Sequence, residues 1–475
     1  MATSSSLTGI RGPLLHFIAD PFYIPLSESL RYLPDGLLVI QNGKILDVGP
    51  YATLAGRYAD LPVTHHPQQL IVPGLIDTHI HFPQTEMIAA YGEQLLTWLE
   101  RYTFPTEQKF NDRTYALTVA HHFLDQLLRH GTTTALVFTS VYPQSTDAFF
   151  EAAQTRNLRM IAGKVLMDRH APAPLLDTPE TAYQQSKALI EKWHKKDRLL
   201  YAVTPRFAIT STPEQLTVAG QLLRDFPDTY LHTHLAENLD EITWTQRLFP
   251  DCASYLDVYT QAGLVGPRSI FAHGIYLDDR DRTTLSTHHC AIAHCPSSNL
   301  FLGSGLFSLA AAKDPAQPIK IGLGTDIGGG TSFSLLHTAG EAYKVAQLQR
   351  QTLTPFQALF LATLGGAQAL SLAAAKDPAQ PIKIGLGTDI GGGTSFSLLH
   401  TAGEAYKVAQ LQRQTLTPFQ ALFLATLGGA QALSLDALLG NFTPGKEADF
   451  IVLDPQATPT LAFRNQALMH TFSTP

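Results

Sequence analysis

Eight short β-rich runs alternate with segments of helical character between LIDTHIH (75–81) and IKIGLGTDI (319–327). The intervening runs are TTTALVFTS, RMIAGKVLM, LLYAVTPRF, TYLHTHLAE, SIFAHGIYL and CAIAHCPSS. Between them, the apolar spacing of RTYALTVAHHFLDQLLRH and PETAYQQSKALIEKWHKK suits helices laid on a sheet. Such alternation admits a closed (β/α)8 barrel or an open doubly wound sheet. The polar residues favour the barrel, because they recur at the C-terminal ends of the strands, where barrel strands converge. Ahead of this region, GLLVIQNGKILDVG predicts a β-hairpin turning at Asn42-Gly43, since both turn positions need positive φ.

A net charge of −7 with no long basic run argues against a nucleic-acid surface, and the Lys192 to Arg198 cluster reads as a solvated helix face. The expected partner is a small molecule. No charged start precedes the short apolar patch of the first twenty residues, and no later stretch approaches the length of a membrane span, so a soluble, cytoplasmic protein is expected. Cys252, Cys290 and Cys295 are too scattered for a disulfide framework and read as buried thiols.

The strand-end residues are His79 and His81, Arg206, His234 with Glu237, His273, and the Asp of GTD. His79 and His81 are two apart and share a strand face, which leaves Ile80 and Phe82 for the helical layer. Two neighbouring imidazoles are costly to bury unpaired, which favours a metal. Singly, the others have plainer readings. His234 suits a hydrogen-bonded core histidine, Glu237 the first turn of the next helix, and His273 a polar strand end. GTDIGGG suits a flexible turn, and it lacks the ending of a phosphate loop. Jointly, their order argues for a site: HxH on the first strand, His on the fifth and sixth, Asp on the eighth. The H-x-E and C-x-x-C of cytidine-deaminase-type zinc enzymes are absent.

From about Pro73 to Asp454 the chain resembles the amidohydrolase superfamily of metal-dependent barrels. The resemblance rests on PGLIDTHIHFPQTE, YGEQLLTWLERYTFPTE, VTPRF, HTHLAEN, FAHGIYL, AHCPSSNLFLGSG, GTDIGGGTSFS and NFTPGKEADFIVLD. Within it, PQTE, LLTWLERYTFPTE and TPRF resemble the branch that hydrolyses guanine to xanthine and ammonia. It implies one Zn²⁺ per subunit on His79, His81, His234 and the Asp of GTD. It further implies Glu237 as the proton carrier, His273 as a hydrogen-bond partner of the attacking oxygen, and Asp326 as acceptor of a second proton. Gln84, Arg206 and Phe207 are implied to bind the base, although Arg206 alone reads as a surface ion pair and Phe207 alone as core. A homodimer acting in purine catabolism is implied as well. The chemistry is consistent, because deamination needs a nucleophile at neutral pH and zinc lowers the pKa of its water to roughly 7. Two alternatives stay open. One is an amidohydrolase acting on another purine or a triazine, with no need of Gln84 and Arg206; the other is a catalytically silent assembly protein, which would be expected to have lost ligands.

The predicted fold is therefore a (β/α)8 TIM-like barrel with a small β-sandwich-like domain built from both chain ends. The expected division is 1–70 and 434–475 for the small domain, 71–370 for the barrel, and 371–433 for a surplus segment. That segment repeats residues 308–370 without a change, so Asp389 duplicates Asp326. Solenoid repeats come as several diverged units, and a barrel of eight strands has a fixed tilt and stagger that admit no ninth. One copy is surplus. Relatives continue past LDPQATPTLAF, whereas this sequence stops at RNQALMHTFSTP, so its small domain is expected to lack a strand. Lengthening a loop from about ten to about seventy residues costs only roughly 2 kcal/mol. Contacts closer in sequence form sooner and N-terminal segments emerge first, which favours the first copy as the eighth strand. Asp326→Ala should then abolish metal binding and activity while Asp389→Ala retains both. Metal analysis and turnover of the two variants check this, and the reverse pattern would assign the eighth strand to the second copy.

Overall fold

The computed structural model describes residues 7–88, 90, 94–370, 438, 442–448 and 450–453. The duplicate segment 371–433 with Asp389, and the residues beyond Leu453, lie outside them. The chain opens with β1 (Leu7–Phe17), β2 (Leu30–Gln41), β3 (Lys44–Pro50), β4 (Val63–His65) and β5 (Leu70–Pro73). The β2–β3 hairpin turns where the sequence predicts, with Asn42 and Gly43 at φ 52° and 74°. Near the other end, β15 (Phe450–Leu453) pairs antiparallel with β5. The order β15-β5-β1-β2-β3, with β4 parallel to β1, makes one mixed sheet from both ends of the chain. Leu14, Leu38, Ile45, Ile71 and Phe442 form its apolar centre.

All eight runs read from the sequence are strands of a parallel barrel. They are β6 (Leu75–His81), β7 (Thr132–Phe138), β8 (Arg159–Gly163) continued as β9 (Val165–Leu166), and β10 (Leu200–Pro205). β11 (Tyr230–Leu235), β12 (Ser269–His273), β13 (Ala291–His294) and β14 (Lys320–Leu323) complete it. The two amphipathic segments are helices Arg113–Arg129 and Pro179–Trp193. The Asp112 side chain accepts from the Thr114 and Tyr115 N–H groups and the Thr178 side chain from that of Thr181, satisfying donors that a helix start leaves free. In the first helix Ala116, Ala120, Phe123, Leu124 and Leu127 are buried, an i, i+4, i+7 stripe turned to the strands.

The first copy of the repeat supplies β14. Backbone ladders run unbroken from β6 round to β14, and side chains seal the remaining seam. Thr78 Oγ1 donates to Leu323 O at 2.7 Å, Thr325 Oγ1 to Asp77 Oδ2 at 2.6 Å, and Asp326 N to His79 O at 2.8 Å. The approach is close enough that a side chain at Gly322 would collide with Thr78. At the opposite end of the barrel, helix Leu364–Ala369 packs with Ile76, Leu136, Ile161 and Ile270 and fills the interior.

Glu447, just ahead of β15, bolts the small sheet to the barrel. Its carboxylate meets Arg159 at 2.5 Å and Arg198 at 2.6 Å, and Lys44 at 3.8 Å. Arg198 therefore departs from the solvated helix face expected of the 192–198 cluster: it lies past the helix and turns in to this carboxylate, while Lys192 and Lys195 stay exposed. Cys290 and Cys295 are buried, as the sequence reading expects, whereas Cys252 is only half-buried. No helix among the described residues is long and apolar enough to cross a membrane.

Burial alone would raise the Glu447 carboxyl, but the two guanidinium groups outweigh it and hold it below its ordinary range. A carboxyl lowered by folding stabilises above its unfolded pKa of about 4.3, and the contribution disappears as pH falls through the folded value. Glu447→Gln should cost roughly 3 kcal/mol near neutral pH. In urea unfolding the deficit should shrink as pH drops below about 4.

Candidate active site

Strand alternation aims His79 and His81 into the barrel and sends Ile80 and Phe82 to the helix-side core. His234 is the penultimate residue of β11, His273 ends β12, and Asp326 follows β14. Three non-glycine residues at these strand ends have left-handed backbone: Ala236 at φ 48°, His273 at 70° and Asp326 at 48°. Strain of this kind gathers where side chains must be aimed rather than merely packed.

The side chains converge. Asp326 Oδ1 lies 3.0 Å from His81 Nε2 and 3.1 Å from His79 Nε2, and the Nε2 atoms of His81 and His234 are 3.2 Å apart. His79, His234, His273 and Asp326 each offer a donor atom within 4.8 Å of the others. Burial drives the His81 imidazole down to about 3, and that of His234 well below its ordinary value. Burial also opposes ionisation of Asp326, yet His79 and His81 more than offset it and the carboxylate stays charged. Neutral imidazoles are the form that binds a metal. His234 Nδ1 is 2.6 Å from Arg206 O, an atom that only accepts, so Nδ1 carries the proton and the Nε2 lone pair faces His81. Bare imidazole nitrogens around a buried carboxylate are costly without a cation. The donor set of His79, His81, His234 and Asp326 therefore fits a divalent metal.

Glu237 and His273 border the same point. His273 Nε2 lies 3.5 Å from Glu237 Oε2 and 3.7 Å from Asp326 Oδ2, while its Nδ1 is 2.8 Å from Asn299 Oδ1. Glu237 precedes the Asn238 N-cap of helix Leu239–Leu248, so it is not a first-turn acid; Glu241 is. Ser304 Oγ donates to Glu237 Oε1 at 2.8 Å, and Glu241 accepts the Glu237 backbone N–H at 2.8 Å. Burial, with Asp326 nearby, pushes the Glu237 carboxyl up to about 8, near the operating range of a proton carrier.

A pocket opens beside this cluster, lined by His81, His234, Glu237 and Asp326 together with Gln84, Arg206 and Phe207. Leu95, Trp98, Leu99 and Leu302 supply apolar wall. Arg206 is buried, not the surface ion pair of its plainer reading: its Nη1 donates to both oxygens of Glu107, at 2.9 and 2.8 Å. Of the site residues read from the sequence, Asp389 apart, His81, His234, Glu237, Asp326, Gln84, Arg206 and Phe207 line this cavity, and His79 and His273 reach it through Asp326.

The sequence reading missed several neighbours. His232 is buried with Nε2 2.7 Å from His79 Nδ1. Its signal was present, since HTH (232–234) repeats the two-residue spacing that singled out His79 and His81. Asp77, Asn299 and Glu107 lie within the motifs quoted for the resemblance, but no role was read for them, because only folding brings them to their partners.

The sequence model of the Amidohydrolase family matches residues 70–377 and again 372–472, the second match beginning one residue into the repeated segment. The chain belongs to the amidohydrolase family. This amidohydrolase is 46% identical over 468 residues to the guanine deaminase of Escherichia coli (strain K12), covering 98% of this chain and 91% of that protein. Among solved structures, E. coli guanine deaminase matches it with a TM-score of 0.81 at 45% identity, over 97% of this chain and 92% of that one. Guanine deaminase from Bradyrhizobium japonicum matches with a TM-score of 0.82 at 39% identity, over 98% and 91%.

Outer partners of a metal-binding imidazole fix its tautomer and orientation. His232→Phe, which keeps a ring but offers His79 no nitrogen, should weaken metal affinity about 10- to 100-fold without altering secondary structure. Metal competition against a chelator, beside circular dichroism, measures both.

Proposed function

We propose that this amidohydrolase is a guanine deaminase, converting guanine and water to xanthine and ammonia. One observation carries the reading: the cluster of His79, His81, His234 and Asp326 opens, through Glu237, onto the same pocket as Gln84 and Arg206. The likeness to E. coli guanine deaminase supports it. An amidohydrolase acting on triazines would have no use for that buried guanidinium.

A zinc ion held by His79, His81, His234 and Asp326, one per subunit, would supply Lewis acidity and lower the pKa of water. Around it, Glu237 takes a proton from the attacking water and delivers it to a ring nitrogen of guanine. Its poise near neutrality lets it both accept and release. His273, fixed from behind by Asn299, hydrogen-bonds the incoming oxygen. As the new C–O bond forms at C2, Asp326 takes the second proton from the added hydroxyl and passes it to the C2 amine, and the C–N bond then breaks to release ammonia. Arg206 and Gln84 bind the edge of the base, and Phe207 offers its ring face. On the same reading the working form is a cytoplasmic homodimer, and residues 371–433 are a surplus copy outside the 71–370 barrel.

Incubation of the zinc-loaded protein with guanine should show guanine loss and xanthine appearance by ultraviolet absorbance. Glu237→Gln should retain its metal and lose on the order of 10²–10⁴ in kcat. Absence of xanthine from the metallated parent chain would overturn the assignment.

A further inference from the structure

Glu107 sits behind the pocket rather than in it. It is fully buried, on helix Phe104–Gln108, and is not among the residues that line the cavity. Its two oxygens take Arg206 Nη1, and Oε1 also accepts from Gln84 Nε2 at 3.3 Å. Among the described residues no hydrogen bond engages Arg206 Nε or Nη2, so these donors are left for a ligand. The Phe104 ring centroid lies 5.6 Å from the guanidinium carbon and helps to seat it.

The same carboxylate settles which way the Gln84 amide points. A carboxylate only accepts, so the amide nitrogen turns to Glu107 and the carbonyl oxygen turns away. That oxygen lies over Gly328, which has φ 120° and no room for a side chain because Gln84 occupies the space a Cβ would take. A guanidinium donor and an amide acceptor thus stand side by side on one wall. A 6-oxopurine presents the complementary pair, an accepting carbonyl at C6 next to a donating N1–H. A 6-aminopurine presents the reverse pair, and 2-aminopurine has no group at C6 to accept and a bare N1.

We infer that Glu107 is a positioning residue that sets the base preference of this pocket, by holding Arg206 and Gln84 in the donor–acceptor order that matches a 6-oxopurine. The inference rests on the guanine deaminase reading and adds to it a residue that touches no substrate.

The test compares guanine with 2-aminopurine, which carries the same reacting amine at C2, using the metal-loaded full chain. Sites built to hydrogen-bond a substrate group discriminate strongly against analogues that lack it. The parent should prefer guanine. In Glu107→Gln the preference, as the ratio of kcat/KM values, should fall roughly 10- to 100-fold, through a rise in KM for guanine with kcat less affected. Loss of stability or metal alone would lower both substrates together and leave the ratio unmoved. Because Glu107→Gln leaves Arg206 buried without its counter-charge, Glu107→Asp provides the second arm. It keeps the charge, withdraws it by one methylene, and should shift the ratio in the same direction to a smaller extent. A parent-like ratio in either variant that folds and binds its metal would overturn the inference alone. Absence of guanine turnover by the parent would overturn the underlying reading and this inference with it.

Discussion

Closure of the barrel between β6 and β14 is the constraint on which everything else depends. No backbone ladder joins these two strands, and the bonds that replace it link residues far apart in the chain: Thr78 with Leu323 and Asp77 with Thr325. The third seam bond, Asp326 N to His79 O, ties the backbones of two site residues directly. Sealing the fold and bringing His79 and Asp326 together are therefore one event. The absence of a side chain at Gly322 allows that approach, and a bulkier residue there would open both the wall and the site.

Charge is distributed inside the barrel in two unlike ways. Arg206 and Glu107 neutralise each other and can be buried with little net field. Asp326 faces imidazoles that burial keeps neutral, so its charge calls for an external cation. The pocket lies between a balanced wall that can read a ligand and an unbalanced one that can react with it. Glu237 joins the second, steadied by Ser304 on its carboxylate and by Glu241 on its backbone.

Most of the architecture was legible because it follows from short-range rules. Strand runs and the Asn42-Gly43 turn need only local preferences, and His79 and His81 need only the two-residue period of a strand. The same period reaches His232, two residues before His234 on β11. Glu107 is different. Nothing local distinguishes a glutamate in TFPTE from one on a solvated helix, and its partner Arg206 lies 99 residues on. Arg198 failed for the same reason: its counter-charge Glu447 comes from the far end of the chain, where local reasoning saw only a run of bases.

Left-handed backbone occurs at several non-glycine positions among the described residues, and three of them, Ala236, His273 and Asp326, stand at the working end of the barrel. Each such residue costs on the order of 1 kcal/mol relative to glycine. Relieving that cost would also free the angles that aim His273 and Asp326. Gains in robustness should therefore be sought in the helical shell and at the seam between sheet and barrel, and the strand ends left as they are. A chain shaped this way trades some of its own sturdiness for the direction in which two side chains point.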